Sequence, residues 1–284
     1  MTTERDETVR DETVRDEAVR DEAVRDATAR PRTAPARTLR PNILSRLIAV
    51  PLSPVLIVQA RRARRIIPRL PDAAEPWSGA LAGPDPVRLL VLGDSTAAGV
   101  GADTQDDALP GNLAREVLRV AGHGTRWDAV GENGATARDL LQRFIGPATE
   151  QRYDLVFLSI GANDALALRS RLAFARDVRE LVARLRAASP HALILVSLMP
   201  RFDRFSSLVN PLRWNLALHA ASLDDGARAA VAGLDDVFAI PKPPPYTPTF
   251  WASDLFHPSA SGYREWIEFA IGAVPPELLK GLVR

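Results

Sequence analysis

The chain contains no cysteine. That excludes disulfides, thiolate metal sites and a cysteine nucleophile, and it leaves the redox compartment open. Lysine is nearly absent too: Lys242 and Lys280 are the only two, so almost all positive charge is arginine. Acidic and basic residues cancel to a net charge of +1, which supplies no bulk field to attract nucleic acid. No apolar run reaches the ~20 residues of a membrane-spanning helix. Nor does any cluster of His, Asp or Glu show metal-ligand spacing, so neither a metal nor another cofactor is expected. What remains, with 46% hydrophobic and 6% aromatic residues over 284 positions, is the composition and length of a globular protein with a sizeable core.

Four segments are distinguishable along the chain. Residues 1–40 carry a five-residue repeat, Arg-Asp-Glu-Thr-Val and its variants from Arg5 onward. A unit this short has no face to bury, and its valines wander around a helix, so a disordered, charged tail is expected. Residues 41–70 form an arm in which Leu47 to Ala60 is apolar, broken by Pro51 and Pro54, and flanked by arginines without one acidic residue. Such an arm suits two environments, an anionic membrane surface or a docked position on the globular domain. A secretory signal fits poorly because a long charged tail precedes the apolar stretch. The expected location is therefore cytoplasmic or peripheral to the membrane. Pro71 to Pro86, rich in Pro, Ala and Gly, reads as a linker, and the globular domain is expected over 87–284.

Within that domain apolar runs alternate with amphipathic stretches. Strands are expected at Leu89–Leu92, Trp127–Val130, Leu155–Ile160, Ala192–Leu198 and Asp236–Ile240. Helices are expected from Pro110 to Gly122, after Thr136 with Leu140, Leu141 and Phe144 inward, over 171–188 with Leu172, Val178, Leu181, Val182 and Leu185 inward, over 212–230, and from Ser259 to Ile271. The near-continuous apolar strands and intervening helices imply parallel pairing with helices on both faces, a doubly wound α/β fold.

Three strand ends carry glycine with small polar residues: Gly93-Asp94-Ser95, Gly131-Glu132-Asn133-Gly134 and Gly161-Ala162-Asn163-Asp164. Parallel strands end on one edge, so these segments meet in one crevice. Each alone is also ordinary turn chemistry. Acyl transfer needs a nucleophile, a base, a carboxylate that orients the base, and donors aimed at the developing oxyanion. Ser95 supplies a hydroxyl; the Asn163 amide and the N–H groups of Gly134 and Ser95 supply donors. Of four histidines, His123, His191 and His219 sit in structural settings. His257 follows Asp254 by three residues in a short loop, near enough for the carboxylate to reach Nδ1. An Asp-x-x-His loop is as often structural as catalytic, so its weight comes from the other strand ends.

Taken in order, Gly93-Asp94-Ser95, Gly134 in Asn-Gly-Ala-Thr, Gly161-x-Asn163-Asp164 and Asp254-x-x-His257 resemble the four sequence blocks of the SGNH (GDSL) hydrolases, across roughly Arg88 to Val274. The resemblance implies a flavodoxin-like fold with a five-stranded parallel sheet. It also implies a serine esterase acting on a small-molecule or lipid ester, with Ser95 as nucleophile, His257 as base, Asp254 as its partner, and Ser95, Gly134 and Asn163 as the oxyanion hole. One departure is that Thr96 stands where a leucine often follows the serine. No Gly-x-Ser-x-Gly elbow occurs, which disfavours the alternative α/β-hydrolase architecture. Acyl transfer to an alcohol, thioester cleavage and a non-catalytic membrane-associated module remain as alternatives. The aromatic stretches Pro200–Asn210 and Pro241–Trp251 suit either the rim of an apolar acyl pocket or a cover for the sheet edge.

Overall fold

The structure, a computed structural model, describes residues 40–282 except 198 and 244–245. The pentapeptide repeat lies outside the described residues. The central strand β2 (Val87–Gly93) shows why its sequence is apolar almost throughout. Leu90 and Leu92 point into one core cluster and Leu89 and Val91 into another on the opposite face, as the period of two along a strand requires. The same division holds in β4 (Leu155–Ser159) and β5 (Leu193–Val196), so both faces of the sheet are sealed. Strand β3 (Thr125–Gly131) pairs with β2, and β6 (Val237–Ala239) closes the far edge beside β5.

The parallel strands run in the order β3-β2-β4-β5-β6, the flavodoxin-like winding. The sheet is not five-stranded, however. A sixth strand, β1 (Ser78–Leu81), pairs antiparallel with β3 and lies within the segment expected as a linker. Four residues of Ser-Gly-Ala-Leu carry no strand periodicity; the pairing partner decides their conformation.

One helical layer consists of α2 (Leu109–Ala121) and α8 (Ala260–Gly272). Pro110 occupies the first turn of α2, where its missing N–H costs nothing, and Gly122 ends the helix in the left-handed region at φ 79°. The other layer holds α6 (Arg171–Ala188) and α7 (Leu212–Val231), with the arm packed on it as one helix, α1 (Arg40–Ile66). Leu172, expected inward, is 82% exposed, because it lies on the side of α6 opposite the face formed by Phe174, Val178, Leu181 and Leu185. Between β3 and β4 the chain makes a short α3 (Ala137–Asp139), a π-helical turn over Leu140–Phe144, and α4 (Ile145–Ala148). Leu140 is buried and Leu141 and Phe144 are half-buried. Among the described residues no helix is long and apolar enough to cross a membrane.

Candidate active site

The carboxyl edge of the sheet collects the strand ends that the sequence singled out. Gly93 ends β2 against β4 so closely that a Cβ there would stand 2.4 Å from the Ser159 carbonyl oxygen. Only glycine permits the approach. The chain then turns: Asp94 N–H donates to the Ser159 carbonyl at 3.2 Å, and Val100 N–H to the Ser95 carbonyl at 3.0 Å. Ser95, held by this turn, is one of the residues that line a pocket.

Opposite stands the loop before α8. Asp254 accepts from the N–H groups of Phe256 and His257 through Oδ1, at 2.9 and 3.0 Å, and from His257 Nδ1–H through Oδ2 at 2.6 Å. His257 Nε2 lies 3.1 Å from Ser95 Oγ. Leu255 adopts φ 54°, a conformation costly for a leucine, and so tightens the turn that carries the carboxylate beneath the imidazole. Burial pushes the Asp254 carboxyl up, but the hydrogen bonds from His257 and Phe256 outweigh it and hold the group below the ordinary carboxylate range. Asp254 is thereby held as the carboxylate that the His257 ring faces.

The other two blocks are joined through Asn163. Its Nδ2 donates to the Ala135 carbonyl at 3.0 Å and lies 3.4 Å from Asp94 Oδ2, so the loops after β2, β3 and β4 touch one another. Asn163 lies in α5 (Ala162–Leu166), directly after the Gly161 turn. Gly134 has φ 92° and nothing within 4 Å of its Cβ position. The backbone N–H groups of Ser95 and Gly134 donate to no group among the described residues. Unpaired donors of this kind are what an oxyanion site requires.

Three side chains at this edge escaped the sequence reading. Thr96, the departure from the usual first block, donates N–H and hydroxyl to Asp94 Oδ1 at 3.1 and 3.2 Å and meets the Ser159 hydroxyl at 2.7 Å. The third is Asp164, fully buried, which accepts from Ala137 N–H at 2.9 Å and so anchors the start of α3 behind the Gly134 loop. Burial raises Asp94 and Asp164 alike to about 6. The Asp in Gly-x-Asn-Asp was the available signal; its partner, a backbone N–H in another loop, is not encoded in any spacing.

Neither His123 nor His191 approaches the site. Each precedes a parallel strand, β3 and β5 respectively, and so belongs to the opposite edge. His219 is buried, with Nδ1 3.3 Å from Ser45 Oγ and Nε2 3.0 Å from the Arg169 carbonyl. Both aromatic stretches reach the site. Phe202, Phe205, Tyr246, Phe250 and Trp251 line the pocket with Phe256, Ile160 and Met199. They brace one another at ring separations of 4.7 Å for Phe205–Trp251, 5.1 Å for Phe205–Phe256 and 4.1 Å for the stacked Tyr246–Phe250 pair. Tyr246 turns its hydroxyl away to accept from Arg201 N–H, and burial pushes that hydroxyl up to about 12. The lining is apolar except where Ser95, His257 and their neighbours face it.

A flavodoxin-like sheet with serine, histidine and aspartate hydrogen-bonded in series at its carboxyl edge defines a class, the SGNH hydrolases. Within it, the chain belongs to the GDSL-like lipase/acylhydrolase family, whose sequence profile matches residues 91–265, and it is a carboxylic ester hydrolase. The GDSL-like esterase Rv1075c of Mycobacterium tuberculosis is 28% identical over 236 residues, covering 74% of this chain and 72% of that one. Among solved structures, the lipase Lip_vut3 from a goat rumen metagenome superposes with a TM-score of 0.53 at 13% identity, over 66% of this chain and 97% of that one. TesA does so with a TM-score of 0.52 at 19% identity, over 66% and 98%. These two likenesses are of fold.

Proposed function

We propose that this hydrolase cleaves carboxylic esters with an apolar acyl group through an acyl-enzyme on Ser95. The observation that carries the reading is the unbroken series from Asp254 Oδ2 to His257 Nδ1 at 2.6 Å and from His257 Nε2 to Ser95 Oγ at 3.1 Å. His257 takes the Ser95 proton as Oγ attacks the acyl carbonyl, and the Asp254 carboxylate fixes the tautomer and stabilises the imidazolium. The oxyanion is received by Ser95 N–H, Gly134 N–H and the Asn163 amide. His257 then returns the proton to the leaving alcohol. In the second half water enters, His257 takes its proton, the acyl–Oγ bond breaks, and the proton goes back to Oγ as the acid leaves.

The apolar lining favours aliphatic and aryl acyl groups, because a pocket walled by Phe202, Phe205, Phe250 and Trp251 offers a sugar few hydrogen-bond partners. Transfer to an alcohol in place of water and cleavage of a thioester use the same groups. Product analysis with a competing alcohol separates the first from hydrolysis. The test of the main reading is hydrolysis of p-nitrophenyl esters of increasing chain length by wild type and Ser95→Ala. Activity that rises with acyl length and is lost on substitution is expected; activity retained by Ser95→Ala removes the serine from the mechanism.

A further inference from the structure

Helix α1 divides its residues between two surfaces. Ser45, Ala49 and Leu56 are buried on α7 and its neighbours, with Leu52, Ala60, Ala63 and Ile67 packed beside them, the i, i+4, i+7 spacing of one helical face. The opposite stripe holds Leu47, Val50, Pro54 and Val58, followed on the same side by Arg61 and Arg65. Leu47, Val50 and Val58 are 62%, 72% and 64% exposed. This is an apolar band ~16 Å long, at 1.5 Å per residue, running into a basic end. Arg61, Arg62, Arg64 and Arg65 form no ion pair among the described residues, and the sequence has no Asp or Glu from Arg30 to Pro71.

Helix α1 is tied to two loops, one following Asn163 and one carrying pocket residues. Near its start, Arg46 Nη2 donates to the Leu168 carbonyl at 2.6 Å, in the loop that follows Asn163. Near its end, Gln59 donates to the Asn210 carbonyl at 2.7 Å and accepts from Leu212 N–H at 3.0 Å. Asn210 closes the loop carrying Phe202 and Phe205, and Ser207 of that loop donates to the Leu255 carbonyl at 2.8 Å, two residues from His257. Leu168, Val209 and Leu255, at these junctions, are exposed apolar side chains. Exposed apolar side chains thus stand on the loops that α1 holds and beside the loop that carries His257.

We propose that this face of α1, with the loops it ties together, docks on an anionic lipid surface and presents the pocket mouth to it. A helix whose inner face is already docked has no use for an outer apolar stripe in water, whereas at an interface that stripe enters the headgroup boundary. The uncompensated guanidiniums at its end match lipid phosphates in charge. A lipid surface is favoured over an acidic protein partner because the band is apolar first and basic only at one end. The inference concerns where ester substrates are met, and its readout does not depend on the reaction.

The test is co-sedimentation of the full chain with vesicles of phosphatidylcholine alone and of equal parts phosphatidylcholine and phosphatidylglycerol. Binding to the mixed vesicles that weakens as salt is raised is expected, with little binding to the neutral ones. The pair Val50→Asp and Val58→Asp should abolish sedimentation while leaving hydrolysis of a short soluble ester unchanged. Replacing Arg61, Arg62 and Arg65 by Gln should lower vesicle affinity about 100-fold. Ser95→Ala should bind as wild type does, which separates failure of the docking surface from failure of the esterase reading. Three results overturn the proposal: no binding by the wild-type chain, binding indifferent to Val50→Asp and Val58→Asp, or a wild-type dimer that Val58→Asp converts to monomer, which would assign the face to a second copy.

Discussion

Asn163 makes two contacts with one amide. It holds the Ala135 carbonyl at 3.0 Å while its second N–H lies 3.4 Å from Asp94 Oδ2, a weak bond that a developing oxyanion can displace. Asn163→Ala should therefore lower kcat by about two to three orders of magnitude with a smaller effect on KM, as loss of one oxyanion donor does; equal turnover would remove the amide from the hole. The residues of this site were readable because each block places chemistry beside a strand end: Gly93-Asp94-Ser95 after an apolar run, Asp254 three residues before His257. What was not readable is the support. Thr96 against Ser159, and Asp164 against Ala137 N–H, join loops 63 and 27 residues apart, and such pairs leave no periodic trace.

At the scale of elements, boundaries followed local signals wherever these existed. Ser259 caps α8 by accepting from Gly262 N–H at 3.1 Å, and its hydroxyl also donates to the Thr249 carbonyl at 2.7 Å, tying the aromatic loop to the helix start. Ser259→Ala should cost about 1 kcal/mol through the cap alone, read as a fall in the denaturant midpoint with unchanged slope. An unshifted midpoint would mean that water replaces the hydroxyl at both positions. Elements without local signals were the ones missed. Strand β1 exists because β3 offers an unpaired edge. Helix α1 forms across Pro51 and Pro54 because both prolines lie on its outer side, leaving the docked side chains in register. Proline in a helix interior opposes the helix locally by ~3 kcal/mol, so the packing of Leu56 and its neighbours on α7 is what overrides it.

Across the whole molecule, burial of acidic groups gives folding a pH dependence that differs from the usual one. Asp224 is buried on α7, accepts from Met199 N–H at 2.7 Å, and is raised by burial from 3.8 to about 6 despite Lys242 nearby. Between about pH 4 and 6 the folded chain keeps this proton while the unfolded chain has released it. Stability contributed by the protonated group is therefore lost as pH rises through that window. Asp224→Asn keeps an acceptor for Met199 without the charge. Measured by chemical denaturation, its stability relative to wild type should increase from pH 4 to 6 by up to about 3 kcal/mol and then level off; a constant difference would show that the carboxylate stays solvated in the fold.

The sequence by itself determined the alternation of buried strands and amphipathic helices, and hence a doubly wound sheet whose carboxyl edge gathers Ser95, Gly134 and Asn163. It did so because hydrophobic period, caps and turns act over a few residues. Tertiary structure alone decided that the sheet gains an antiparallel sixth strand, that the apolar arm lies on α7 with its outer stripe exposed, and that Asp94, Asp164 and Asp224 are stripped of water. Edge pairing, helix docking and desolvation depend on what arrives from elsewhere in the chain, and no local pattern records the arrival.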